Sequence, residues 1–251
     1  MATRKLMEIT TPLGSDALLF HRMSAREELG RLSEFQIDLL SPQAEIALED
    51  MLGQPVTVKL ELPKDKVRHF HGFVTRFGQR AMVGRYHRYH ATVYPWLWFL
   101  TRTANCRIFQ EMSVPDILKE VFDAYAFADV KFELTGNYRT WEYCVQYRET
   151  DFNFVSRLME QEGIYYYFKH EDGRGTMIVA DSYTAHAEFE NYGQIPFIPA
   201  ERTARPEQER IMEWRVTGEL QPGAYVIDDF DFERPSTDLL VKHTIERKHD
   251  H

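Results

Sequence analysis

The chain has 251 residues, 43% hydrophobic and 27% charged, with a formal net charge of -9 at pH 7. That length buries one large core or two smaller ones, and the acidity opposes general binding to a phosphate backbone. The longest apolar run, near residues 94–100, is far short of the about 20 residues of a membrane-spanning helix, and Cys106 and Cys144 stand in no C-x-x-C pair, so they read as small buried hydrophobes and point to neither a disulfide framework nor a zinc site.

The N-terminal residues MATRKLMEITTPLG carry basic side chains with no apolar stretch behind them, so no cleaved signal peptide is expected and folding is expected in the cytoplasm. Met7 and Ile9, then Phe35, Ile37 and Leu39, then Val56, Val58, Leu60 and Leu62 alternate with polar neighbours at the two-residue period of half-buried strands. Residues 45–52 predict a short helix stopped by Gly53. Residues 67–77 and 85–98 predict a long hairpin with Gly84 in the turn, and Pro95 at a strand edge or bend because it has no N–H for a ladder. Aromatic residues make up 14% of the chain and lie in short extended segments, as sheet and barrel cores require.

In that hairpin Arg76, Arg80, Arg85 and Arg88 interleave with Phe77, Tyr86 and Tyr89. Some modules bind single-stranded nucleic acid with such a pattern, but no module signature surrounds it here. The arginines are read as covering a solvated face, and no nucleic-acid partner is expected.

The strand pattern gives way at Ser113. With Asp116 three residues on and Pro115 in the first turn, Ser113 starts a helix whose Val114, Ile117, Leu118, Val121, Phe122 and Tyr125 share one face. A second helix over residues 152–162, capped by Thr150 or Asp151 and ended by Gly163, places Phe152, Val155, Leu158 and Met159 at helical spacing. Strands follow at 164–169 and 176–180, joined across EDGRG. Residues 185–209, with Pro196, Pro199 and Pro206, read as a loop, and strands are expected again at 211–220 and 224–232. The last ten residues, KHTIERKHDH, read as an unfinished strand or a foreign tail.

Chemistry has few candidates. His69, His71, His87 and His90 cluster in the hairpin, but two-residue spacing puts His69 and His71 on one face whereas His87 and His90 point to opposite faces, so at most three converge on a metal without a bulge. Of the acids around the second helix, Glu149 and Asp151 read as charges favoured by the helix N-terminus, Glu160 as a surface partner of Arg157, and Glu162 as one more acid of the group. A glycosidase pair needs two carboxylates facing each other across a substrate. No G-x-S-x-G, H-E-x-x-H or G-x-x-x-x-G-K-[ST] sequence occurs. No catalytic, cofactor-binding or metal-binding residue is assigned, and no cofactor is expected.

Two long blocks carry a resemblance. One is EYCVQYRETD at residues 142–151 followed by FVSRLMEQEGIYYYF at 154–168; the other spans residues 94–122, with Arg107, Ile108, Phe109 and Gln110 as its sharpest word. Smaller matches are HGFVTRF at 71–77, VADS at 179–182 and DFDFERPS at 229–236. Over nearly its whole length the chain thus resembles the VgrG family of type VI secretion tip proteins, whose N-terminal part is similar to the baseplate hub of contractile phage tails.

The resemblance implies a mainly β fold of two small β-barrels with an α+β insertion, truncated before an oligonucleotide/oligosaccharide-binding-type barrel and a β-helical spike. Residues 1–110 would form the first barrel, 111–182 the insertion with two helices and a hairpin, and 183–251 a connecting loop and return strands. It implies a structural hub and no enzyme: a homotrimer that caps the hexameric tube protein Hcp, with effectors or baseplate proteins as further partners and no stable membrane binding. The hub would assemble in the cytoplasm and leave the cell on firing. The alternatives are the hub of a phage or phage-like tail and, in another class, a hydrolase using His69, His71, His87 and His90 with a metal.

Overall fold

A computed structural model of the chain describes residues 6–62, 66–188, 192–199 and 210–245, and divides it into two compact units, residues 1–188 and 189–251. In the first unit the alternating residues become β1 (Met7–Thr10), β3 (Glu34–Ser41) and β4 (Pro55–Leu62), joined in one sheet by β2 (Leu19–Arg26), β5 (Lys66–Val83) and β6 (Tyr86–Tyr94). The strand order is β1-β4-β5-β6-β3-β2, every pair antiparallel. The outer strands β1 and β2 are consecutive in the chain and come into contact, so the sheet curls around its own core. Phe35, Ile37 and Leu39 of β3, Val56 and Val58 of β4, and Tyr89, Ala91 and Val93 of β6 fill that core. Each such valine, leucine, isoleucine or phenylalanine contributes about 1.5–3 kcal/mol by leaving water.

The expected helix at residues 45–52 is only a 3-10 turn, Leu48–Asp50. Ala47 offers no capping side chain and nothing in the turn is buried, so a longer helix has neither end support nor a packing face. The hairpin's return strand stops at Tyr94 rather than running to residue 98. Pro95 opens a second 3-10 turn, Trp96–Thr101, which buries Trp96, Leu97 and Leu100.

Beyond this turn, β7 (Ala104–Ser113) leads into α1 (Val114–Asp123), then β8 (Val130–Glu133), β9 (Thr140–Thr150), α2 (Asp151–Glu162), β10 (Tyr165–Glu171) and β11 (Arg174–Ala180). The capping box at α1 forms as expected: Asp116 N–H donates to Ser113 Oγ, and Ser113 N–H donates back to the Asp116 carboxylate. Thr150, not Asp151, caps α2, and Gly163 ends it at φ +71, a left-handed conformation that costs glycine little. β7 pairs with β9, while β11 stands between β10 and β8. Val114, Ile117, Leu118, Val121 and Phe122 of α1 meet Phe154, Val155, Leu158 and Met159 of α2 in a second core floored by Tyr166, Met177 and Val179.

Asp181, just past β11, ties down the loop before β9. Its carboxylate accepts from the N–H groups of Thr135 and Gly136 at 2.8 and 2.6 Å and from Tyr138 Oη at 2.8 Å.

In the second unit β12 (Ala224–Ile227) and β13 (Val241–Thr244) form an antiparallel pair. The strand expected at 211–220 is reduced to one bridge, Phe197 to Ile211, and Trp214, Val216 and Leu220 lie exposed. Residues 189–191 and 200–209 of the expected loop and 246–251 of the expected tail lie outside the described residues. Among those described, no helix is long and apolar enough to cross a membrane.

Candidate assembly surface

The β7–β9 ribbon buries Phe109 and Cys144 in the second core, but around Arg107 and Gln146 it reverses the usual sheet pattern. Its inner face holds a polar cluster: Arg107 Nη2 donates to Asp151 Oδ1 at 2.7 Å, Gln146 Nε2 donates to the same oxygen at 2.7 Å, and Tyr125 Oη donates to Asp151 Oδ2 at 2.7 Å. Arg107 Nε also donates to Gln146 Oε1 at 2.8 Å. Gln146 and Asp151 are buried, so the carboxylate is stable there only because three side chains donate to it. The cluster clamps the ribbon to the start of α2 and to the end of α1.

The outer face of the ribbon is correspondingly apolar. Ile108 (59% exposed) lies opposite Val145, and Tyr147 (64% exposed) lies opposite Cys106, with Tyr143 farther along. Cys106 is therefore exposed, contrary to the reading of both cysteines as buried, because its neighbour Arg107 takes the inward position; Cys144 is buried. Arg148 adopts φ 51 where the register slips between Asn105 and Cys106, and its guanidinium lies over the Tyr147 ring.

A second surface is the end of the β5–β6 hairpin. β4 pairs with β5 only as far as Phe73, and β3 pairs with β6 only as far as His87. The tip is closed by Gly84 at φ +60 and bulged between Arg80 and Val83; Met82 and Val83 are exposed there, as are Arg76, Arg80 and Arg85.

The four hairpin histidines do different jobs. His71 is buried, its Nδ1 2.8 Å from Thr57 Oγ1, and its backbone N–H donates to His170 Nδ1. Burial, reinforced by the neighbouring His170, lowers its pKa to about 4. His90 sits between Asp38 and Gln36, His87 faces Gln79, and His69 is half-buried on β5. Among the described residues no three His, Cys, Asp or Glu side chains come together as a metal site.

The acids around α2 are also placed. Glu149, not Glu160, is the partner of Arg157, whose Nε and Nη2 both donate to it, because the bulge at Arg148 brings the end of β9 over the helix. Glu149 and Glu160 line an open cleft of about 720 Å³ between α2 and residues 26–34. Much of its charge is paired within the wall: Arg26 with Glu28, Arg157 with Glu149, and Tyr94 Oη with Glu34. These charged groups are thus held by one another within the wall of the cleft.

The sequence profile of the phage tail baseplate hub (GPD) family matches residues 26–251. The chain belongs to that family. Among similar proteins, the type VI secretion system spike protein VgrG1a of Pseudomonas aeruginosa is 47% identical over 249 residues, which are 99% of this chain and 39% of that protein. This hub chain thus spans about two fifths of the length of that relative. Among solved structures, the E. coli c3393 protein, described as a component of the type VI secretion system with structural similarity to the T4 tail proteins gp27 and gp5, aligns with TM-score 0.65 at 23% identity. The alignment covers 77% of this chain and 52% of that one. A Francisella PdpA–VgrG complex aligns with TM-score 0.50 at 12% identity, over 70% of this chain and 31% of the other. The hub fold, mainly β with curled sheets and few helices, agrees with the expectation from the VgrG-like blocks. The β7–β9 pair, the Arg107–Asp151 clamp and the exposed ribbon face were not read from the sequence; the signal for them was the buried-polar, exposed-apolar alternation of CVQY.

Proposed function

We propose that the chain is the N-terminal hub portion of a type VI secretion tip protein, which trimerises and caps the hexameric tube protein. Residues 1–110 act as one barrel, 111–182 as an insertion that stiffens each protomer, and 183–251 as the connecting loop and return strands that complete the hub. Two similar barrels in each of three chains give six quasi-equivalent units, so a threefold spike seats on a sixfold ring through shape and buried area. The hub assembles in the cytoplasm, carries thrust to the spike on firing and leaves the cell with it. Effectors or baseplate proteins are further partners, and a complex of VgrG with PdpA is a solved precedent. The observation that carries the reading is the hub-family match over residues 26–251 joined to high identity with a type VI spike protein. The identity favours this over a phage tail hub. No catalytic step, cofactor or bound metal enters the mechanism.

The test is a pull-down of the chain on hexameric tube rings, read beside its solution mass across a concentration series. Capture of the chain by the rings is expected. A chain that ignores the rings at every concentration overturns the reading.

A further inference from the structure

The curled sheet meets the second core where β10 and β11 lie against β5. One side chain of β10 bridges the two cores there: the centroid of the His170 ring lies 5.5 Å from that of Phe35 in the first core and 6.3 Å from that of Phe168 in the second. The His170 side chain is 6% exposed; its Nδ1 accepts from the His71 backbone N–H at 3.2 Å, and its buried Nε2 faces Glu27 Oε1 at 3.3 Å. His71 is buried beside it, with Nδ1 2.8 Å from Thr57 Oγ1. A Cβ at Gly175 of β11 would stand 3.3 Å from His71 Cδ2 and 3.6 Å from His170 Nδ1, so β11 closes over both imidazoles.

That geometry suits uncharged rings. A ring nitrogen that accepts from a backbone N–H carries no proton, so the His170 proton sits on Nε2, toward Glu27. A second proton, on Nδ1, would set donor against donor and break the bond to β5, and charging either ring leaves a buried cation beside the other imidazole. Glu27 favours a charged His170, but it is shared with Arg68 Nη2 at 3.1 Å and is about a third exposed, so its pull is screened. The other charged groups that face the pair are Asp172, in the turn after β10, and Asp129 with its partner Arg174, across a cavity of about 130 Å³ that His71 lines. His69 lies two residues away on the same face of β5, while β3 offers Phe35 and β4 offers Thr57, neither of them charged. We propose that the His71–His170 pair is an acid-sensitive latch: with both rings neutral it holds the β10–β11 hairpin against β5, and protonation releases the hairpin from β5 while each core stays folded. Burial of His71, with His170 beside it, lowers the His71 pKa from 6.5 to about 4. The released form thus binds a proton that the closed form refuses, and closure is lost as pH falls through that window. The latch works within one protomer and needs no assembly.

The reporter is the His71 amide, whose N–H is bonded to His170. Its hydrogen exchange, followed by NMR from about pH 7.5 to 5 and corrected for the intrinsic rate at each pH, should lose protection by about tenfold per pH unit below pH 6.5, the slope for one proton taken up on opening. Amides of α1 and α2 should keep theirs. Nitrogen-15 shifts of the His170 ring at about pH 7.5 should place its proton on Nε2. His170→Asn keeps an acceptor near the Nδ1 position and cannot titrate; combined with His71→Gln it should flatten the acid response. A folded double variant that responds as the parent does overturns the latch. Should the double variant not fold, the parent chain still decides: His71 protection unchanged with pH, loss of protection in α1 and α2 in step with it, or a His170 proton on Nδ1 would each overturn the latch.

Discussion

Arg107 of β7 and Asp151 at the start of α2, residues 44 positions apart in the chain, meet at 2.7 Å. Asp151 is buried and Arg107 partly so, and Gln146 and Tyr125 complete the set of donors. Removing one donor leaves a buried carboxylate short of a partner, which costs more than the bond itself contributes.

Arg107→Met should therefore lower stability by more than the about 1.5–3 kcal/mol that a hydrogen bond to a charged group contributes. Tyr147→Ser, on the opposite face of the same ribbon, should change it by about 0.5 kcal/mol or less, as exposed substitutions do. Urea unfolding of the two variants checks the contrast. Equal losses would mean that the outer face is packed in solution and that the clamp is not what holds the ribbon.

Asp181 gives a pH-dependent prediction. Burial works against its charge, but hydrogen bonds from Gly136 N–H, Tyr138 and Thr135 outweigh that and bring its pKa to about 2, below the ordinary 3.8. A depressed carboxylate contributes stability that is fully present above the unfolded value and is lost as pH falls through the folded one. The Tm difference between the parent and Asp181→Asn should be constant above about pH 4 and close between pH 4 and 2. A difference that persists unchanged below pH 2 would show that the loop is held by shape alone.

His71 has the opposite charge type and a related sign. Its folded pKa of about 4 lies below the ordinary 6.5, so between these values the unfolded chain binds a proton that the native chain refuses. Stability then falls as pH drops through that window. His71→Gln should flatten this part of the Tm-against-pH curve. A slope as steep as the parent's would assign the effect to other histidines.

The legible parts of the sequence were those where one periodicity acted alone. Phe35, Ile37 and Leu39 point into the curled sheet, and Val114 to Phe122 lie on one helix face, because nothing competes with burial of those side chains. The ribbon was illegible for the converse reason: Tyr143, Val145 and Tyr147 point out while Gln146 points in, so hydrophobicity and burial run out of phase. The strand assigned to residues 211–220 failed likewise, since Trp214, Val216 and Leu220 alternate without a neighbouring ladder to make a strand of them. The pairing of Arg157 with Glu149 depends on a register slip that no local spacing announces.

Two glycines of β5 separate close approach from mere absence of a side chain. A Cβ at Gly72 would stand 2.6 Å from the Tyr94 carbonyl oxygen and 2.8 Å from Val93 Cγ1, in the middle of the curled sheet, whereas a Cβ at Gly78 would meet nothing within 4 Å. Backbone cannot step aside as a flexible side chain does, so Gly72→Ala must push β5 from β6, an overpacking cost of about 1–3 kcal/mol. At Gly78, where φ lies outside the left-handed range, alanine removes freedom from the unfolded chain and should be neutral or stabilising by about 0.4–1 kcal/mol. Thermal unfolding of the pair decides it: Gly72→Ala below the parent and Gly78→Ala at or above it. The reverse order would mean that β5 and β6 do not approach as closely as the packing of Gly72 on Tyr94 requires, and with that the curl of this sheet would be wrong.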